Sequence, residues 1–216
     1  LGLQEPTFKQ LAAIAHHLGV QPKWLQHGDG CMFYVASERL PSNPFEAVEW
    51  LLSWEIKDGE QEATVSNIYF VRELSEVGGL VVIKKSSLGH YRIFTTPYHV
   101  SEHIGAGGEA SLTHLFVMWE ALYKRFTKNS ASFHVSSYLA KPEDFRLLYE
   151  GNTIPDKVLS DSNKSMWWED IWDEKMQTKH EYWPGWHSLF RRIAYCIEHS
   201  PGMVRVREEI RAGTPA

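Results

Sequence analysis

Cysteine is nearly absent: Cys31 and Cys196 are the two in 216 residues, and neither has a CxxC partner. A disulfide-stapled scaffold is excluded, cysteine catalysis has no support, and free thiols of a reducing, cytoplasmic compartment are expected. No run of 18 apolar residues occurs, so no transmembrane helix is expected. The opening residues lack the charged, apolar and small-residue regions of a secretory signal. A strong excess of positive charge is missing too. Lys and Arg number 22 against 27 Asp and Glu, a formal net charge of −5 that argues against broad non-specific binding of nucleic acid. Neither an internal repeat nor a low-complexity tract is present. What remains is an ordinary globular balance, 43% hydrophobic and 23% charged, long enough for one well-buried domain with or without an appendage.

The most informative stretch is residues 5–30. Phe8, Leu11, Ala12, Ala15 and Leu18 recur at three- and four-residue intervals and predict one face of a helix. Pro6 suits its first turn, and Gly19 can take the left-handed conformation that ends it. Pro22 then opens a shorter helix with Trp24 and Leu25 on its inward side, closed by Gly28. In these positions the segment resembles the last two helices of a lambda-repressor-like (XRE-type) helix-turn-helix domain, in which P-x-x-x-x-L-x-x-I-A-x-x-L-G-V leads into P-x-W-L-x-x-G. Pro6, Leu11, Ile14, Ala15, Leu18, Gly19, Val20, Pro22, Trp24, Leu25 and Gly28 fill those slots. The resemblance implies a bacterial or phage transcriptional regulator of the repressor type, and a groove-reading helix upstream of Leu1. A second registration makes residues 10–18 and 21–26 the helix-turn-helix pair itself, with Gln21, Lys23, Gln26 and His27 facing DNA.

Residues 31–44 read as a linker broken by Pro41 and Pro44. Asn43 is then an N-cap, with Pro44 at the first helical position and Glu46 completing a capping box, for a helix to about residue 56 that residues 57–59 stop. Residues 64–71, 80–83 and 91–96 predict three strands of an antiparallel meander, with Gly78, Gly79 and Gly89 at the turns. A strong amphipathic helix follows over 111–126, a fourth strand over 132–139 and a helix over 142–149. Further helices are predicted over 165–176 and 184–199, with a last turn or two at 203–210.

Several patterns point to chemistry. His99, Glu102 and His103 match H-x-x-E-H, in which two histidines hold zinc and the glutamate activates water. That requires a helix and a third ligand, and Pro97 and Gly105 flank the segment unfavourably. Gly105, Gly107 and Gly108 match neither phosphate-loop pattern and read as a flexible connection. Phage-type repressors also suggest a self-cleaving Ser-Lys peptidase with a Gly-x-Ser-Met context. Here Asn163 replaces that glycine before Ser165 and Met166, and Lys179 is the last lysine, so the pattern fails. Trp167, Trp168 and Trp172 among Glu169, Asp170, Asp173 and Glu174 suggest either packing or a cage for a cation or partner.

The resulting expectation is an α+β chain: residues 1–30 the end of a helix-turn-helix domain, 31–44 a linker, and 45–216 a dimerisation and regulatory domain. Leu189, Phe190, Ile193 and Ile197 are the expected homodimer interface, since one domain has too many apolar stripes to bury alone. No enzyme activity, cofactor or metal is expected. DNA is the partner through the upstream helices, with a small-molecule or protein effector as an option. The alternatives are a zinc hydrolase through residues 99–103 and an interaction module through residues 165–176.

Overall fold

A computed structural model describes residues 5–56, 62–128 and 132–213. In chain order its elements are α1 (Phe8–Leu18), α2 (Pro22–His27), β1 (Val35–Ser37), α3 (Pro44–Leu52), β2 (Val65–Glu73), β3 (Gly79–Ser86), β4 (Tyr91–His99) and α4 (Ala106–Lys128). After these come β5 (His134–Ala140), α5 (Pro142–Tyr149), α6 (Pro155–Asp161), β6 (Asn163–Ser165), α7 (Trp167–Asp170), α8 (Trp186–Glu198) and α9 (Pro201–Ala212). The fold is α+β, built on one mixed sheet of order β1-β4-β3-β2-β5-β6. The expected meander β2-β3-β4 is its antiparallel centre. β5 adds parallel to β2, β1 parallel to β4, and β6 antiparallel to β5.

Alternate residues of the central strands enter different cores. Ile68, Phe70, Leu80 and Val82 face a large cluster with the α4 stripe of Leu112, Leu115, Phe116, Trp119 and Leu122. Tyr69, Val71, Val81 and Ile83 face a smaller one, covered by Phe145 and Leu148 of α5 and by Val158 and Leu159 of α6. A sheet covered on both faces needs apolar residues at consecutive positions, which explains why residues 80–83 are an unbroken apolar run.

The expected linker is part of this sheet. Val35, Ala36 and Ser37 pair with Ile93, Phe94 and Thr95, and Phe33 and Leu40 are buried. The Phe33 amide donates to the carbonyl of Gly151 at 2.9 Å. Gly151 has φ +69°, and a Cβ there would lie 2.4 Å from the Phe33 oxygen, so only glycine allows the approach. Pairing at the edge won over the loop reading of residues 31–40, and the sheet crosses the expected boundary before residue 45.

Asn43 caps α3 as expected, its Oδ1 accepting from the amides of Phe45 and Glu46. The helix ends at Leu52 rather than near residue 56; the anticipated stop at 57–59 lies outside the described residues. Its end is held by a buried cation. The Lys84 ammonium donates to the carbonyls of Trp50 and Ser53 and lies 3.7 Å from the Trp50 ring centroid. Burial nevertheless pushes Lys84 down to about 7, with Arg92 adding repulsion. The folded chain therefore releases this proton near neutrality while the unfolded chain keeps it until about 10.4. Between those values the unfolded state binds more protons, so stability should rise with pH by at most ~1.4 kcal/mol per unit. Lys84→Met should abolish that slope in urea titrations between about pH 7 and 10. An unchanged slope would place it on other groups.

Two further expectations are corrected. α4 starts at Ala106, so Gly107 and Gly108 lie in its first turn and not in a flexible connection; a Cβ on Gly108 would crowd Ile104 at 2.8 Å. The interface assignment of Leu189, Phe190, Ile193 and Ile197 also fails. They are 0%, 3%, 0% and 2% exposed within a single chain. Pro201 does not close the α8 stripe but opens α9, whose twelve residues fold back so that α4 and α9 both pack on α8. Among the described residues no helix is long and apolar enough to cross a membrane.

Candidate functional site

The α1–α2 pair is locally self-sufficient in its backbone bonds. Thr7 and Gln10 form a full capping box at the start of α1: the Thr7 hydroxyl accepts from the Gln10 amide, and the Gln10 side chain accepts from the Thr7 amide at 2.8 Å. Gly19 and Gly28, both at φ +67°, close the two helices in the left-handed conformation. Pro22 occupies the first turn of α2. The helices are tied by Gln26 Nε2 donating to the Phe8 carbonyl at 2.9 Å and by the Phe8 and His27 rings at 5.2 Å.

Packing is one-sided. Ala15 is buried between the helices, and Trp24 and Leu25 are half-buried, but Phe8, Ile14 and Leu18 are 64%, 44% and 55% exposed. For a helix of eleven residues this is a large apolar surface facing water. Charge on the pair is nearly balanced: Lys23 is bound to Asp29 at 2.5 Å, which raises the lysine pKa and lowers that of the aspartate. Of the side chains offered to DNA in the alternative registration, Lys23 is thus engaged with Asp29, Gln26 with Phe8, and Gln21 with Cys31.

The pair docks on the sheet end rather than hanging free. Val20 packs on the smaller core, the Gln21 amide donates to Met32, and His90 Nε2 lies 3.0 Å from the His17 carbonyl. Gly19 meets the His90 ring at 3.3 Å from an ideal Cβ position.

The other candidate groups are placed as follows. His99 closes β4, while Glu102 and His103 stand in the loop after it, so the H-x-x-E-H rings do not share a helix face. The Glu102 carboxylate lies against Gly185, and its carbonyl accepts from Arg192. Among the described residues no group of three or more His, Cys, Asp and Glu is arranged to hold a metal. Trp167 and Trp168 are fully buried and Trp172 is 9% exposed, each packed on other aromatic rings. An interaction surface built on those three indoles is thereby overturned: they are core. Only Trp167–Asp170 of the expected helix forms, followed by turns. Ser165 sits in β6, its carbonyl accepting from Ser137 Oγ, without a lysine beside it in any described bond.

One cleft had no signal in the sequence. Arg39, Tyr98, Ser111 and His114 converge on it from the β1–α3 segment, β4 and α4, and no local motif spans such distances. Comparison of the chain with protein-family models, curated proteins and solved structures found no match in any of the three.

Proposed function

We propose that this chain is the C-terminal portion of a cytoplasmic transcriptional regulator of the repressor type, with α1–α2 as the closing helices of a lambda-repressor-like helix-turn-helix domain. One observation carries the reading: α1 is capped at both ends yet leaves Phe8, Ile14 and Leu18 open. Helices of eleven and six residues are marginal in isolation. An open apolar face on such a pair suits further helices of the same domain, including the one that enters the major groove. The α+β body then fixes the position of that domain through Val20, Gln21 and His90. Regulators of this type read paired half-sites, so the body is proposed to form a homodimer. Its interface lies elsewhere than the inner face of α8.

The test uses the product of the whole reading frame beside the 216-residue chain. The former should select a palindromic duplex from a random pool at ~0.15 M salt, where non-specific binding weakens. The 216-residue chain should retard no duplex specifically and should scatter light as a dimer. Specific retardation by the shorter chain would transfer the reading role to Gln21, Lys23, Gln26 and His27. Failure of both to select DNA would end the regulator reading.

A further inference from the structure

The cleft between the β1–α3 segment, β4 and the first half of α4 has a volume of about 140 Å³. Its floor is apolar, made by Leu40, Ala47, Leu115 and Met118. Its polar groups are Arg39, Tyr98, Ser111 and His114; Ser111 Oγ donates to the Gly107 carbonyl at 2.9 Å, and the bonding of the other three is incomplete. Arg39 is an exposed guanidinium that makes no ion pair among the described residues; it reaches Ser111 Oγ only at 3.5 Å and lies 6.0 Å from the Tyr98 ring centroid. His114 Nδ1 is buried without any partner. Buried polar atoms are nearly always hydrogen-bonded, so the His114 ring, which lines the cleft, has unused bonding capacity. The Tyr98 hydroxyl makes one long bond, 3.4 Å to the Leu40 carbonyl, and its oxygen can still accept.

We infer that this cleft binds a small monocarboxylate bearing a short apolar chain, with the carboxylate on Arg39 and the chain over Leu115 and Met118. The planar guanidinium fork matches a carboxylate. One permanent cation balances one negative charge, whereas a phosphate dianion would be left half-compensated. The His114 ring supplies a further donor, because a histidine can carry its proton on either nitrogen, whereas the Ser111 hydroxyl is already committed to the Gly107 carbonyl at 2.9 Å. Size sets the chain length. A cavity of about 150 Å³ accepts a six-carbon guest, so a four-carbon acid with six non-hydrogen atoms fits. Drug-sized ligands need about 300 Å³ or more and would extend beyond the cleft.

The assignment does not rest on the regulator reading. Where that reading holds, the cleft is where an effector acts, because the segment bearing Arg39 continues through β1 to Met32, which holds the α1–α2 pair.

Butyrate is the probe, titrated into the 216-residue chain and followed by NMR at the Met118 methyl and the His114 ring. Ligands of this size reach dissociation constants of roughly 0.1–5 mM. Butyrate should give saturable shifts at both positions, and butyramide, equal in shape but neutral, should bind roughly tenfold more weakly or worse. Arg39→Gln should weaken butyrate by a similar factor with the thermal midpoint unchanged, since the Arg39 side chain is exposed. The inference is overturned by any of four results: no saturable shift with butyrate, equal binding of butyramide, undiminished binding by Arg39→Gln, or tighter binding of inorganic phosphate. None of these outcomes depends on DNA binding, so the two proposals fail separately.

Discussion

Glu120→Ala should lose roughly 3–5 kcal/mol of stability in urea unfolding, because it strands a buried guanidinium. Glu120 sits in the middle of α4 and is 1% exposed. Arg207 Nε donates to its Oε2 at 2.6 Å, and Arg211 Nε donates to its Oε1 at 2.7 Å, so one carboxylate fixes two turns of α9. Arg207 is itself buried, and its other bond runs to the Trp172 carbonyl at 3.2 Å. Arg211 is half-exposed and can return to water when its partner goes. Arg207 is buried and keeps only the Trp172 carbonyl and a long 3.8 Å ion pair to the exposed Glu174. The penalty therefore belongs to the arginine left behind rather than to the lost Coulomb energy alone. A second variant separates these: replacing both members, Glu120→Leu with Arg207→Met, should recover most of the loss, since apolar groups of similar volume substitute for a buried pair at little cost. A loss under about 1 kcal/mol in Glu120→Ala would mean that the contact is dispensable.

This network also marks the limit of what the sequence reveals. The meander, the α4 stripe and the fifth helix were legible because their signals are local: alternation, three-four spacing, and Pro142 opening a helix that ends at Tyr149 as expected. The N-cap at Asn43 and the left-handed glycine at 19 were legible for the same reason. β1 and β6 were not. Three residues carry no periodicity, and both strands exist only because a longer neighbour, β4 or β5, offers an open edge. α6 was missed because its seven residues, opened by Pro155, are mostly polar and too few to show a helical stripe. Pairing of Glu120 with arginines 87 and 91 residues away has no sequence trace, and neither has the meeting of Arg39 with Ser111 and His114. The α1–α2 pair is the reverse case: its elements were read correctly, while its role in DNA binding is a proposal that awaits the experiment described above.

The apolar stripe of α8 was also read correctly, but assigned to the wrong partner. Counting stripes overestimated what one chain leaves exposed, since α9 was expected to be a turn or two and is instead a cover of three turns. Ile193→Glu turns this into a measurement. Ile193 is fully buried in the cluster that contains Trp119, Trp186 and Ile197. Arg192 on the same helix is not free to pair with the new carboxylate, because it is already bound to Glu109 and to the carbonyls of Glu102 and Ile104. An unpaired charge there costs several kcal/mol, and the lost isoleucine packing adds about 2 more. That sum consumes most of the 5–15 kcal/mol by which domains of this kind are stable. Ile193→Glu should therefore be unfolded or insoluble by circular dichroism and thermal melting. Tyr195→Glu, two residues along and 61% exposed, is the control and should change stability by no more than about 0.5 kcal/mol. The contrast tests the packing directly. A folded Ile193→Glu protein with half the parent's scattering mass would restore the α8 stripe as a subunit interface and remove α9 from its place over it.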